Sequence, residues 1–316
     1  ENRRSKMKFG VALTTAASPV FKESEQKDYL LEASKICEAK GYESVWVSDR
    51  TLYPADISQR YPEQFGPGKT DPNSQNIMES LITLSFIAGK TKKLRLGTSV
   101  LVLPFRNPLL NTKMISTLDV LSEGRFILGI GTGWMKEEFD SMGADYTKRG
   151  LVTDEHLSFL SQAVDNPSPS YHGEYINTSG MRLYPQMRNG RSIPIWVGGN
   201  SDRAFIRTVK YGTAWHGINL TPAELIRYQE RLKRICKSHR RDYSEIGITL
   251  RATVKITEKL IHPSTDRPYL TGNLDQIEDD LKEYKNAGLD YLVISMAGDT
   301  TEKVMTSISR FADRFL

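Results

Sequence analysis

The stretch QKDYLLEASKICEAKGYESVWVSDR, residues 26–50, holds in one piece the unit that the whole chain repeats. Tyr29, Leu30, Ala33, Ile36 and Cys37 recur at the i, i+3, i+4 spacing of a helix with one apolar face, and Gly41 follows as its C-terminal stop. Residues 44–48 then read as a short buried strand, closed by the charged pair Asp49-Arg50. The same alternation extends in both directions. Strands are predicted at 9–13, 44–48, 94–100, 125–130, 193–197, 214–218, 248–256 and 291–295, each followed by a segment with helical spacing. Thr221 as N-cap and Pro222 at the first helical position open one such helix, which ends near Lys237; residues 273–287 and 301–315 form two more. Strand and helix alternating over 316 residues fit an α/β protein of the (β/α)8 TIM barrel type better than an open doubly wound sheet. The expected organisation is a single barrel over 7–316, preceded by a polar, disordered or tag-like extension at 1–6.

Composition narrows the class. With 39% hydrophobic and 26% charged residues the chain has material for a large core. Its longest apolar run, Ser99 to Phe105, falls far short of the ~18 residues of a membrane span. The N-terminus carries no apolar segment and no small-residue cleavage site, and Cys37 and Cys236 stand far apart outside any CxxC or Cys/His cluster. A cytoplasmic protein with reduced cysteines is expected. The formal charge of +5 is modest for this length. Its densest cluster, Arg231 to Arg241, sits at a helix end where cations are favourable, so neither nucleic acid nor a membrane is expected as a partner.

In a barrel, the ends of all the strands converge on one mouth, and the chemistry is sought there. The residues at those positions are poor in metal ligands. Only five histidines occur and no HxH pair follows the first strand, so no metal site is expected. There is no GxSxG elbow and no GxxxxGK[ST] loop. The run Gly129-Ile130-Gly131-Thr132-Gly133-Trp134 lacks the third glycine of a dinucleotide fingerprint, but it offers a strand end without side chains where a flat ring could approach backbone. Ile195-Trp196-Val197-Gly198-Gly199-Asn200-Ser201 brings two glycines and a hydroxyl to a helix N-terminus, the architecture of an anion site. Asp202, in the same first turn, weighs against an anion. His216, at the next strand end, is a candidate proton donor or hydrogen-bond partner to a substrate. Two long stretches, 51–75 and 166–192, exceed ordinary connections and are candidate lids on the mouth.

These motifs, together with Leu96-Gly97-Thr98-Ser99-Val100-Leu101, residues 117–125, Glu137-Glu138-Phe139 and Ala287-Gly288-Leu289-Asp290, resemble the bacterial luciferase-like monooxygenase superfamily, and within it the branch that uses the deazaflavin coenzyme F420. The resemblance runs from about Met7 to the C-terminus. It implies a flavin or deazaflavin ring across the strand ends, bound by Asp49, Ser99, Val100, Leu101, Thr132 and Gly133. A non-prolyl cis peptide at Ser99-Val100 would lie behind the ring, and Gly198, Gly199, Asn200 and Ser201 would hold the phosphate. It also marks two departures. Deazaflavin members commonly end strand two in Asp-His, where this chain has Asp49-Arg50, and the sugar-phosphate dehydrogenases carry Glu where this chain has Trp134. Arginine is no proton shuttle near neutral pH, but it can bind an anion or stabilise a negative deazaflavin. Arg50, His216 and Trp134 are therefore the candidate catalytic residues, with Trp134 as a wall of the substrate pocket. The function expected is hydride transfer between coenzyme F420 and a small-molecule substrate. An FMN-dependent monooxygenase and a non-catalytic barrel relative are the alternatives, and the resemblance further implies a homodimer.

Overall fold

A computed structural model describes residues 6–14, 16–17, 23–65, 76–187, 192–262 and 266–316. Its sheet is a closed ring of eight parallel strands: β1 (Lys8–Ala12), β2 (Ser44–Val47), β3 (Arg95–Thr98), β4 (Phe126–Gly131), β5 (Ile195–Gly198), β6 (Ala214–Ile218), β7 (Gly247–Ile256) and β8 (Tyr291–Met296). Each pairs with the next, and β8 pairs with β1 through Lys8 opposite Tyr291, which closes the barrel. The helices outside are α1 (Glu23–Ala39), α2 (Ser80–Ala88), α3 (Pro108–Leu121), α4 (Arg149–Ala163), α5 (Asp202–Tyr211), α6 (Pro222–Ser238), α7 (Leu274–Asn286) and α8 (Thr301–Phe315). None is long and apolar enough to cross a membrane. All eight expected strands are present, with two instructive differences at their ends. β5 begins after Pro194, which has no N–H to give a neighbour. β3 stops at Thr98 because the next peptide, Ser99–Val100, is cis; pairing resumes as Leu101–Val102 beside Ile130–Gly131.

The two-residue period of the strands sorts the core into two compartments. Val45, Val47, Leu96, Leu128, Val197, Leu250 and Leu292 face the helices in one large apolar cluster. Their alternates Ala12, Trp46, Ile127, Trp196, Ala214, Tyr291 and Val293 fill the barrel interior. Trp46 is the plug, with its ring 4.5 Å from that of Trp196 and stacked 5.7 Å from His216. Gly97 makes room for it, since a Cβ there would lie 2.2 Å from the indole. The apolar filling therefore ends one layer below the strand ends, and the next inward residues form the floor of the mouth.

The long stretch after β2 returns to that mouth through two short helices, Ile57–Arg60 and Pro62–Phe65. Residues 66–75 of it lie outside the described residues, as do Thr15 and the greater part of the N-terminal extension, 1–5. The second long stretch takes a different place from the one expected of it. It joins α4 to β5, and its hairpin, Tyr171–His172 with Asn177–Thr178, packs on α4, where Glu155 accepts hydrogen bonds from the N–H groups of Glu174, Tyr175 and Ile176. None of its described residues lines the mouth.

Candidate active site

The inward residues above the tryptophan plug are polar: Ser48 on the way out of β2, Ser99 after β3, His216 on β6, Thr249 and Arg251 on β7, and Ser295 on β8. Above them opens a cavity of about 470 Å³, within the range of small-molecule sites. Its floor is a directed hydrogen-bond chain. The Thr249 hydroxyl donates to the Trp215 carbonyl at 2.9 Å, so its oxygen accepts from His216 Nδ1 at 2.8 Å. His216 Nε2 is then the acceptor for the Ser99 hydroxyl at 3.0 Å. Burial, aided by the nearby Arg251 charge, pushes the imidazole down to about 3, so the ring is neutral and holds one proton, on Nδ1. His216 thus fixes Ser99 rather than standing ready as an acid.

Arg251 occupies the other half of the floor. Nη1 donates to Ser48 Oγ and to the Ser99 carbonyl, both at 2.9 Å, and Nε donates to Ser295 Oγ at 3.0 Å. Every acceptor is neutral. Burial lowers its pKa to about 10, leaving it a cation at neutral pH.

Around the rim, charges are paired. Asp49 is buried and takes Arg106 on both oxygens at 2.7 Å, together with the Val102 N–H at 2.9 Å, which locks the chain just past the cis peptide. Its carboxylate is committed to this packing. Arg50 is ion-paired with Glu138, whose side chain is fully buried and also accepts from the N–H groups of Thr51 and Leu52. The Arg50 guanidinium lies between aromatic faces, 5.3 Å from Tyr53 and 5.0 Å from Trp134. Trp134 meets Tyr61 edge-on, and the Tyr61 hydroxyl donates to Glu137 at 2.7 Å. Two consecutive glutamates of the short helix Lys136–Ser141 thereby clamp the segment after β2 to the wall formed by Trp134.

The glycine runs have physical reasons of their own. A Cβ at Gly129 would lie 1.9 Å from the Thr98 carbonyl, one at Gly131 2.6 Å from Val100, and Gly133 has φ +78°. Gly129 and Gly131 are needed for close packing against Thr98 and Val100, and Gly133 for its positive φ beside Phe139 and Val102. At the next strand end Gly199 has φ +108° and its carbonyl accepts from Trp215 Nε1. Ser201 caps α5, accepting from the Ala204 N–H. Asp202 is paired with Arg231 at 2.7 Å, which removes the unfavourable charge from the turn. The buried Asn200 amide oxygen has no partner among the described residues.

The structure brings most of the sequence candidates together. Asp49, Arg50, Ser99, Val100, Thr132, Gly133, Trp134, Gly198, Gly199 and His216 all line the cavity. Leu101 is buried beneath it, and Asn200 and Ser201 stand behind the glycine turn. Sequence reasoning gave no role to Arg251, which stands at a strand end, or to Glu138, which lies in the Glu137-Glu138-Phe139 motif. The alternation along β7, with Ile248, Leu250 and Ala252 facing the helices, places Arg251 inward, whereas the motif does not say that Glu138 pairs with Arg50. No group of His, Cys, Asp and Glu that could hold a metal ion occurs among the described residues.

Against known proteins, residues 7–260 match the family model for luciferase-like monooxygenases. An uncharacterized protein of Mycobacterium tuberculosis is 29% identical over 207 residues, 66% of this chain and 71% of its own. The alkanal monooxygenase alpha chain of Photorhabdus luminescens is 24% identical over 191 residues, 60% of this chain and 48% of its own. Among solved structures, an F420-dependent secondary alcohol dehydrogenase superposes with a TM-score of 0.76 at 16% identity, covering 98% of both chains. A long-chain alkane monooxygenase superposes with a TM-score of 0.78 at 12% identity, covering 98% of this chain and 91% of its own.

Proposed function

The chain belongs to the luciferase-like monooxygenase family, and on that premise we propose that it is an oxidoreductase that binds coenzyme F420 at the barrel mouth and exchanges a hydride with a small organic substrate. The observation that carries this reading is the state of the charged and polar groups around the cavity. Asp49 is spent on Arg106, Glu138 on Arg50, and His216 is neutral and turned to Ser99. Among the described residues the carboxylates there are paired and His216, at about 3, is too weak a base to activate the Ser99 hydroxyl, which favours a reactive centre brought by a bound group. The residues present fit such a group: the cavity size, an arginine without a carboxylate, and a glycine turn at the N-terminus of α5, where backbone N–H groups can donate to an anion.

When bound, the deazaflavin supplies the hydride chemistry. In this reading Ser99 and Val100 back the ring, Asp49 and Leu101 hold the segment that presents them, and Thr132 and Gly133 line one edge. Gly198, Gly199, Asn200 and Ser201 take the phosphate. Ser99 keeps a fixed hydroxyl because His216 accepts its proton and Thr249 orients His216. Arg50, held by Glu138, fixes the aromatic wall of Tyr53 and Trp134 that shields the cavity from water. The sequence likeness to alkanal monooxygenase favours a second reading, an FMN-dependent monooxygenase in the same pocket. We further place a second copy of this chain on the face of α2 and α3, where Ile82 is 72% and Leu121 60% exposed, forming a homodimer.

Titration of the purified chain with coenzyme F420 and with FMN, followed by fluorescence quenching, tests the first reading. F420 binding orders of magnitude tighter than FMN is expected. The reverse preference moves the assignment to the monooxygenase, and no binding of either at millimolar concentration leaves a non-catalytic barrel.

A further inference from the structure

The charges at the mouth are unevenly placed. Asp49 and Glu79 both close on Arg106 and Glu138 closes on Arg50, so that among the described residues Arg251 is the one cation lining the cavity with neutral acceptors only. Its Nη2 has no hydrogen-bond partner among the described residues, and it lines the cavity. A largely buried guanidinium without a counter-charge is costly in a ligand-free fold. The hydrogen bonds to Ser48, Ser99 and Ser295 satisfy its Nη1 and Nε donors but leave its charge unanswered. A positive charge kept at that depth is accounted for by an anion that completes it.

We infer that Arg251 is an anion-recognition residue, and that the cavity floor takes a planar, delocalised anion on its guanidinium. Nη2, the corner of the guanidinium not spent on Ser48, Ser99 and Ser295, would donate to it, and the positive charge would favour the anion over a neutral ligand. Two small-molecule sources share this chemistry: the ring of a reduced flavin or deazaflavin in its anionic form, and a conjugated carboxylate on the substrate. The first rests on the redox reading above; the second does not. The consequence for the ring would be a preference for the reduced over the oxidised cofactor, set by a residue on β7 rather than by Arg50, whose charge Glu138 already answers.

The experiment compares wild type, Arg251→Gln and Arg251→Lys by equilibrium binding. One arm measures oxidised against reduced F420 and FMN under anaerobic conditions; the other measures benzoate against its neutral isostere benzamide. A charge-assisted hydrogen bond corresponds to ~10–100-fold in affinity, so Arg251→Gln is expected to lose at least about tenfold on the anionic member of a pair and to leave the neutral member nearly unchanged. Arg251→Lys is expected to retain most of the preference. Loss confined to the cofactor pair assigns the anion to the ring, and loss confined to benzoate assigns it to the substrate. Equal loss on both members of each pair, or no discrimination by wild type, overturns the inference and makes Arg251 a strut. Should Arg251→Gln not fold, Arg251→Lys decides: a folded lysine variant without the preference that wild type shows also overturns it. If wild type binds neither cofactor, the redox reading falls, while the benzoate arm still tests the anion site.

Discussion

Removing the charge of Glu138 while keeping its shape, in Glu138→Gln, should be among the more costly single changes at the mouth. The carboxylate has no exposed side-chain surface and answers three donors: Arg50 and the N–H groups of Thr51 and Leu52. A glutamine can still accept from one or both N–H groups, but its amide nitrogen would face the Arg50 guanidinium. Arg50 has a side-chain exposure of only 11%, so it keeps just the faces of Tyr53 and Trp134. Breaking a buried pair from one side costs about 3–5 kcal/mol, and the cation–π contacts, present before and after the change, do not offset it. A loss of about 3–5 kcal/mol is the expected result. Arg50→Met should cost slightly less, because Glu138 retains two backbone donors. The double variant should cost well under the sum, with a coupling energy of about 2 kcal/mol. Urea unfolding of the four proteins at one pH measures the cycle. The same proteins should show weaker cofactor binding in step with the loss of the Trp134 wall. Additivity within about 0.5 kcal/mol would refute the argument, because it would mean that Arg50 and Glu138 do not act as one unit.

His216 and His156 are held neutral by burial, at about 3 and about 4, against an unfolded value near 6.5. The unfolded chain binds the extra protons, so stability is full above about pH 6.5 and falls by about 1.4 kcal/mol per unit for each histidine as the pH drops toward the folded values. Urea midpoints at pH 7.5 and 5.0 check this, with His156→Leu halving the slope; a flat wild-type profile over that range contradicts it. Asp49→Asn leaves Arg106 without its bidentate partner and should cost about 3 kcal/mol in urea unfolding; a loss below about 1 would show that the segment past the cis peptide is held by other contacts. Ile82→Asp should turn a sedimenting dimer into a monomer, and a wild-type chain that sediments as a monomer at every concentration removes the dimer.

The fold was legible because its signal is periodic and local. Each β/α step is announced by a helical spacing, a glycine or capped turn and a short apolar run, and tertiary packing had no cause to override them. The ends of β3 and β5 moved by a residue or two for local reasons, the cis peptide after Ser99 and the missing N–H of Pro194. The stretch 166–192 was misplaced because length marks a loop as unusual without saying which end of the barrel it serves. Its anchor is the carboxylate of Glu155, in the middle of α4, capturing three backbone N–H groups.

The site was legible as a set of positions but not as a set of charges. Strand ends identify which residues meet at the mouth, and ten candidates do line one cavity. What a side chain does there depends on its partner, and the partners come from elsewhere in the chain: Arg106 for Asp49, Glu138 for Arg50, Thr249 for His216. Each pairing takes away a role that residue type alone had suggested. Asp49 becomes a brace, Arg50 becomes half of a neutral clamp, and His216 becomes an acceptor for Ser99. The positive charge that residue type had assigned to Arg50 reappears on Arg251, at the inward phase of a strand whose alternation was plain in Thr249, Arg251 and Thr253. If the mouth recognises a negative ligand, specificity then turns on whether a cation has been left without an acid, and that is a property of the folded pairings rather than of any motif.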